Sequence, residues 1–353
     1  MTVASLVYGL KGVPQWRTRA PPPFDDCPLV SILIPTHNRL SYLRQSLKSA
    51  LGQTYPNLEI IVSDDNSNDD RIETFMHTEV HDSRISYFHH KGLGFQRSEN
   101  ITWLLSHFHG EYFQLLMDDD LIAPEKIEMM VACYQECPTA TLVTSYRQVI
   151  DGEGNKLPDL EETARLTDEP TLFRGAAVRQ KLLQETLNFL GEPSTVLLRR
   201  DCQAQMLDIW TTYHANADLV TWLALCEQGD VVYLPQPLSF FRHHEGQDQN
   251  DLHTKFEGYC EWCHIFLHAI EQETDDEQKR AYWQRYFTHM EGLISILLPT
   301  LRTRIFAERE SFAAREQMLA LEGTIAQVQR HFEQVVFPAK ETVFHPYSIH
   351  QEA

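Results

Sequence analysis

The 353-residue chain contains no run of 18 uncharged apolar residues, the length a helix needs to cross the hydrocarbon of a bilayer. Met1 to Leu10 carry no basic start and too short an apolar core for a secretory leader. The expectation is therefore a cytoplasmic protein, with peripheral contact at a membrane face left open. Basic residues are scarce: 30 Lys+Arg against 50 Asp+Glu give a net charge of -20. Such a field opposes nucleic acid and anionic bilayers at long range. An anionic ligand then has to be held locally, by a metal, an arginine or backbone N–H groups. The seven cysteines are an odd number scattered through the chain, which fits reduced thiols better than a disulfide framework. Internal repeats are absent too. With 42% hydrophobic content, the chain can bury one large α/β core and still carry an appendage.

The most informative segment is Met117-Asp118-Asp119-Asp120, which follows the apolar stretch Tyr112-Phe113-Gln114-Leu115-Leu116. Three carboxylates at the mouth of a buried strand repel one another unless a cation lies among them, so they point to a divalent metal and through it to a diphosphate. Upstream, Leu29 to Ile34 is a β-branched apolar run entering the polar turn Pro35-Thr36-His37-Asn38-Arg39. Leucines at 40, 43, 47 and 51 keep helical spacing. Leu58 to Ser63 is a second strand, ending in Asp64-Asp65-Asn66-Ser67. The two strands and their helix form a βαβ unit with a ligand site at the carboxyl edge of its sheet.

Further strands are expected near Arg84 to Phe88, at Ala140 to Ser145, at Pro193 to Leu198 and at Val231 to Leu234. Helices are expected near Arg97 to His107, after Pro124, and from Ala217 to Gln228. Residues 1–27, with Pro21-Pro22-Pro23, read as an N-terminal arm. Residues 28–250 read as one catalytic domain, with a nucleotide-binding half over 28–146 and an acceptor half over 147–250. The acidic, turn-rich stretch from Asp151 to Thr171 reads as a mobile loop over the site. Residues 251–353 read as a helical extension. Met318, Leu321, Ile325, Val328, Phe332 and Val335 form an a/d stripe there, as suited to packing on its own domain as to forming a homo-oligomer.

Val30 to Arg39, then Asp64 to Ser67, then Gly110-Glu111-Tyr112 leading into Asp118 to Asp120 and Pro124-Glu125-Lys126, resembles the family 2 glycosyltransferases. The resemblance implies a GT-A fold, a Rossmann-like mixed sheet flanked by helices. It also implies transfer of a sugar from a UDP- or dTDP-sugar, with inversion, to a hydroxyl of a glycan, glycolipid or lipid-linked acceptor. In such enzymes the aspartate cluster holds Mn2+ or Mg2+ on the donor diphosphate. By resemblance Asp119 is the leading metal ligand, Asp120 supports it, His244 supplies a third ligand and Asp118 faces the ribose. Asp65 reads the base by accepting from N3–H of uracil or thymine, with Pro35, Thr36, Asn38 and Arg39 alongside. Arg97 and Asn100 are further candidates to face the nucleotide.

Asp218, in the first turn of the helix expected at 217–228, takes the place of the catalytic base; the helix dipole favours its charged, proton-accepting form. Arg242, in Phe241-Arg242-His243-His244, would neutralise the leaving diphosphate. The chain departs from the family pattern at Met117, Ala217 and Phe241, where Asp, Glu and Tyr are usual. These departures keep a second reading in view, a nucleotide-sugar-binding protein of the same fold without activity. A sugar-phosphate nucleotidyltransferase is a third, but that class wants a glycine-rich basic loop after the first strand, and residues 35–39 contain no glycine. Cys260-Glu261-Trp262-Cys263-His264 matches the C-x-x-C-H pattern of haem attachment. Its apolar neighbours Phe266, Leu267 and Ile270 suit ordinary helix packing better.

Overall fold

A computed structural model describes residues 27–65, 67, 69–90, 97–244 and 252–293. The a/d stripe at 318–335 and the arm up to residue 26 lie outside them. The chain divides into two compact units, residues 1–286 and 287–353, and the account below concerns the first.

The unit is built on two sheets. In the first, β1 (Val30–Thr36) has β2 (Leu58–Asp64) on one side and β4 (Tyr112–Leu115) on the other, both parallel to it; β3 (Ile85–His89) extends the β2 side. Helices α1 (Leu40–Leu51), α2 (Arg71–Thr78) and α3 (Arg97–His107) make the connections. All seven residues of β1 are buried, as a strand sandwiched between helices requires. Because the chain leaves β1 first toward β2 and later returns on its other side at β4, the strand order reverses at β1. The crevice beyond the carboxyl ends of β1 and β4 is where an open α/β sheet binds its ligand. Gly110, just before β4, is packed so tightly that a Cβ would come within 2.5 Å of Ser31 Oγ.

The second sheet has the order β5-β9-β6, with β7 (Thr171–Phe173) also on β9. β6 is Ala140–Ile150 and β9 is Asp230–Arg242, parallel to each other. β9 runs eight residues beyond the expected Leu234, straight through Pro235 and Pro237. Prolines lack the N–H a ladder needs. One edge of β9 accordingly changes partner across them, pairing with β7 at Val231 to Tyr233 and with β5 (Leu121–Ile122) at Ser239 and Phe240. The switch lets β9 carry Arg242 from the far end of the sheet to the aspartate cluster.

The expected strand over Pro193 to Leu198 is mostly a 3-10 turn, Pro193–Thr195, followed by the two-residue β8 (Leu198–Arg199), antiparallel to β4. A proline at the start of the segment favours that turn. The acidic stretch after Asp151 lies against the second sheet: Tyr146 Oη donates to Asp159 at 2.7 Å, and Leu166 N donates to Tyr233 Oη at 3.2 Å. Helices α4 (Lys126–Glu136), α5 (Gly175–Glu185), α6 (Gln203–Thr212) and α7 (Ala217–Gln228) flank the sheets, followed by α8 (Leu252–Gln272) and α9 (Asp276–Gly292). All seven cysteines lie among the described residues and none is disulfide-bonded. No helix among the described residues is long and apolar enough to cross a membrane.

Candidate active site

The ends of β1 and β4 bring the acidic cluster together with its neighbours. Asp118, Asp119 and Asp120 are all buried. Thr36 Oγ1 donates to Asp118 Oδ2 at 2.8 Å, and Arg39 Nη1 lies 3.5 Å from Asp118 Oδ1 and 3.2 Å from Asp119 Oδ2. From the end of β9, His244 Nε2 reaches the same Asp119 Oδ2 at 3.1 Å. Burial and the neighbouring Asp119 push the Asp118 carboxyl up to about 7, against the pull of Arg39 and Thr36. The same two causes push Asp120 well above the carboxylate range. Carboxylates forced upward in this way are held in their charged form by an added cation.

Among the described residues no three His, Cys, Asp or Glu side chains form a complete metal cluster. What converges is a pair, the Asp119 carboxylate and the His244 imidazole. The carboxylate is the kind of hard oxygen donor that would suit Mn2+ or Mg2+, and the imidazole beside it would suit the softer of the two, Mn2+, better than Mg2+.

Arg242 has a different place from the one expected. It is 0% exposed. Its guanidinium donates to the backbone carbonyls of Asp119 (2.6 Å), Asp151 (3.0 Å) and Gly152 (2.9 Å) and to Gln45 Oε1 (3.1 Å), while Tyr42 lies under it at 4.8 Å. Its own N–H donates to Asp120 Oδ1 at 2.9 Å. This arginine laces the cluster to α1 and to the turn after β6. Asp120 is likewise engaged structurally. At Met117, the departure from the family pattern, the carbonyl accepts from Ser46 Oγ at 3.2 Å and the N–H donates to Ser194 Oγ at 3.0 Å.

Beyond β2, Asp65 N donates to Thr36 O at 2.9 Å, tying the second acidic turn to the first strand. Asp65 Oδ1 is buried with no hydrogen-bond partner, and its carboxyl is pushed upward, first by desolvation. An acceptor left unsatisfied in the interior is open to a donor from a ligand or an ordered water. Asp64 is engaged internally, accepting from Ser67 Oγ (2.6 Å) and Tyr87 Oη (3.0 Å). Asn38 adopts the left-handed region (φ +58°) that asparagine tolerates, and its N–H donates to Ser67 Oγ at 2.9 Å. Pro35 is buried at the end of β1. Asn100 closes on β2: it is 2% exposed, donates to Ser63 O at 3.0 Å and accepts from Ser63 Oγ at 2.5 Å. Arg97 begins α3, and its side chain lies outside the described residues.

Asp218 sits apart from this cluster, half-buried in the first turn of α7. Asn188 Nδ2 donates to its Oδ2 at 3.1 Å, and Leu219 N to its Oδ1 at 2.7 Å. Asn188 and Ser194 belong to one loop, whose two ends touch the candidate base and the aspartate strand. Six residues span at most ~20 Å, which bounds the separation of those two contacts. Gly191 in that loop has φ +109°, and a Cβ there would strike Thr195 at 2.7 Å. The sequence expectation of a strand began at Pro193 and assigned nothing to residues 188–192, so neither Asn188 nor Ser194 was singled out. The one available signal was Gly191-Glu192-Pro193, a turn pattern.

Residues 31–203 match the family model described as glycosyl transferase family 2. Over those residues the chain belongs to that family. An uncharacterized glycosyltransferase of Haemophilus influenzae is 28% identical over 226 residues, 63% of this chain and 68% of the relative. An uncharacterized glycosyltransferase of Rickettsia felis is 37% identical over 132 residues, 37% of this chain; the chain spans only 21% of that relative's length. Chondroitin synthase of Escherichia coli is 30% identical over 128 residues, 36% of this chain and 18% of the synthase. Among solved structures, S. aureus TarS 1-349 in complex with UDP-GlcNAc superposes with a TM-score of 0.54 at 16% identity, covering 87% of this chain and 81% of TarS 1-349. The fold is GT-A, with mixed sheets flanked by helices. The family model includes both acidic turns and the Asn188 loop but stops before Asp218 and His244.

Proposed function

We propose that the protein transfers a sugar from a UDP- or dTDP-sugar to a hydroxyl of a glycan or lipid-linked acceptor, with inversion at the anomeric carbon. The observation that carries this reading is the convergence of Thr36, Arg39 and His244 on Asp118 and Asp119 at the strand-order reversal. Asp119 and His244 would hold Mn2+ or Mg2+, which when bound neutralises charge on the diphosphate. Arg39 stands next to that pair and supplies a further positive charge. Thr36 fixes Asp118 toward the ribose side, and the unpartnered Asp65 Oδ1 is the acceptor for N3–H of a uracil or thymine ring.

Asp218 takes the proton of the acceptor hydroxyl as its oxygen bonds to the anomeric carbon from the face opposite the diphosphate. The bond from that carbon to the phosphate oxygen breaks, and the nucleoside diphosphate leaves with the electron pair. Asn188 presents an amide N–H to Asp218, which favours the charged carboxylate. Ala217, where the family pattern has Glu, is 2% exposed, so a longer acidic side chain there would have to enter packed interior. Asp218 can act as the base without it.

Calorimetric titration with UDP tests the donor half. Binding should require Mn2+ or Mg2+, vanish in EDTA, and be lost in Asp119→Ala. Equal UDP affinity with and without EDTA would overturn the metal-bridged reading. A thermal-shift panel of UDP- and dTDP-sugars in Mn2+ then selects the donor.

A further inference from the structure

The C-x-x-C-H pattern on α8 has a use unrelated to haem. Cys260 and Cys263 are buried at 3% and 1% exposure, and burial pushes both thiols up to about 12, so neither is a reactive thiolate near neutrality. Between them, Glu261 is also buried. Its Oε1 accepts from the backbone N–H of His214 (2.7 Å) and Ala215 (3.3 Å), and its Oε2 from the N–H of Asn216 (2.7 Å) and from Asn216 Nδ2 (3.1 Å). Asn216 Nδ2 also donates to Gly258 O at 3.0 Å. Three consecutive amides thus converge on one carboxylate from a helix that begins 36 residues further along the chain.

Those three residues lead directly into α7. The N-cap Asn216 makes no side-chain cap bond within α7; the Glu261 carboxylate fixes the entry turn just before the helix and places negative charge near its positive end. Asp218 is two residues past the last of the clamped amides. Its carboxylate accepts from Asn188 Nδ2 and from Leu219 N–H. The backbone that carries Asp218 is thus anchored to α8 just before the helix starts, and its side chain to the Asn188 loop.

We propose that Glu261 is a positioning residue for acceptor activation: by clamping residues 214–216 it orients Asp218, and so makes α8 part of the reacting machinery. The inference rests on Asp218 being the base. A base moved by as little as 1 Å loses about 100-fold in rate, whereas donor binding at Asp65, Asp118 and Asp119 does not touch this clamp. An amide in place of the Glu261 carboxylate would turn a donor toward backbone donors, and Glu261→Asp keeps the charge on a shorter arm.

The test uses the full chain and Mn2+, with UDP release from UDP-GlcNAc to water as the first probe, or from whichever UDP-sugar is turned over fastest. Glu261→Gln should lower kcat about 10- to 100-fold with UDP affinity within about twofold of the parent. Glu261→Asp should fall between them. The double variant with Asp218→Asn should be no slower than Asp218→Asn alone, because a residue that acts through another shows no separate cost once that partner is gone. A parental kcat in Glu261→Gln, or a loss that multiplies onto Asp218→Asn, overturns the proposal while leaving the base intact. Parental turnover in Asp218→Asn removes the base reading, and the clamp's role with it. Should Glu261→Gln fail to bind UDP, Glu261→Asp decides: an unchanged kcat there overturns the proposal.

Discussion

The donor side and the acceptor side of this site are built by opposite means. On the donor side, Thr36, Asp65 and Asp118 each stand within three residues of the end of a parallel strand, so the sheet itself brings them together. On the acceptor side no sheet does this work. Asp218 is oriented by Asn188 from a loop and, through residues 214–216, by Glu261 from a helix 43 positions away in sequence. A nucleotide presents the same diphosphate and ribose in every member of a family and can be met by a fixed strand edge. Acceptors differ, and loops and helix ends can be changed without disturbing the core.

The sharpest way to break that comparison is to remove the acceptor-side carboxylate alone. Asp218→Asn keeps the shape and much of the capping capacity of the side chain. Donor turnover should fall by about 10² to 10⁴-fold, the usual cost of a lost general base, with UDP affinity and melting temperature little changed. Steady-state UDP release, paired with calorimetry, checks both. A rate close to the parent would make Asp218 a helix cap and send the search for the base to the facing loop.

The same contrast decides what was legible in the sequence. β1 and β2 could be read because a strand buried on both faces is apolar throughout and then turns abruptly polar; the aspartates announce themselves at that border. α1 was legible from the helical spacing of its leucines at 40, 43, 47 and 51. The end of β9 was not, because Pro235 and Pro237 read as stops, and only the change of edge partner from β7 to β5 lets the strand pass through them. The protein contacts of Arg242 were hidden for a related reason. Sequence shows that an arginine is near a histidine motif, but not whether its donors meet ligand or backbone. Asn100 illustrates the point again, since its amide closes on Ser63. Glu261 was invisible as a clamp, because its partners are backbone amides, which leave no trace in residue identity.

Arg242 offers the next largest effect. If it laces protein to protein, Arg242→Lys will destabilise the fold, since one ammonium cannot reach the carbonyls of Asp119, Asp151 and Gly152 together with Gln45. Each buried acceptor left without a donor costs about 1–3 kcal/mol, so a drop of several degrees in melting temperature is expected without ligand. Metal-dependent UDP affinity at a temperature where the variant is folded should stay near the parent. Unchanged melting with UDP affinity lost would return Arg242 to the diphosphate.

The smallest effect sharpens the donor side. Asp65 Oδ1 is buried and lacks a partner, and the only donor a pyrimidine ring of UDP presents at its Watson–Crick edge is N3–H. Asp65→Asn replaces one accepting oxygen by an NH2 group, so binding of UDP should weaken by about 1–2 kcal/mol, roughly tenfold, the scale of one hydrogen bond to a charged group. CDP, whose ring has an acceptor at N3, should bind the parent poorly and gain on the variant, which offers it a donor. The ratio of UDP to CDP affinity, measured by competition in Mn2+, is then the decisive number. It should fall through both changes at once, while melting temperature holds or rises, because the variant no longer buries a partnerless carboxylate. A ratio unmoved by the substitution would show that Asp65 does not meet the base and that the ring is read by some other group at the ends of β1 and β2.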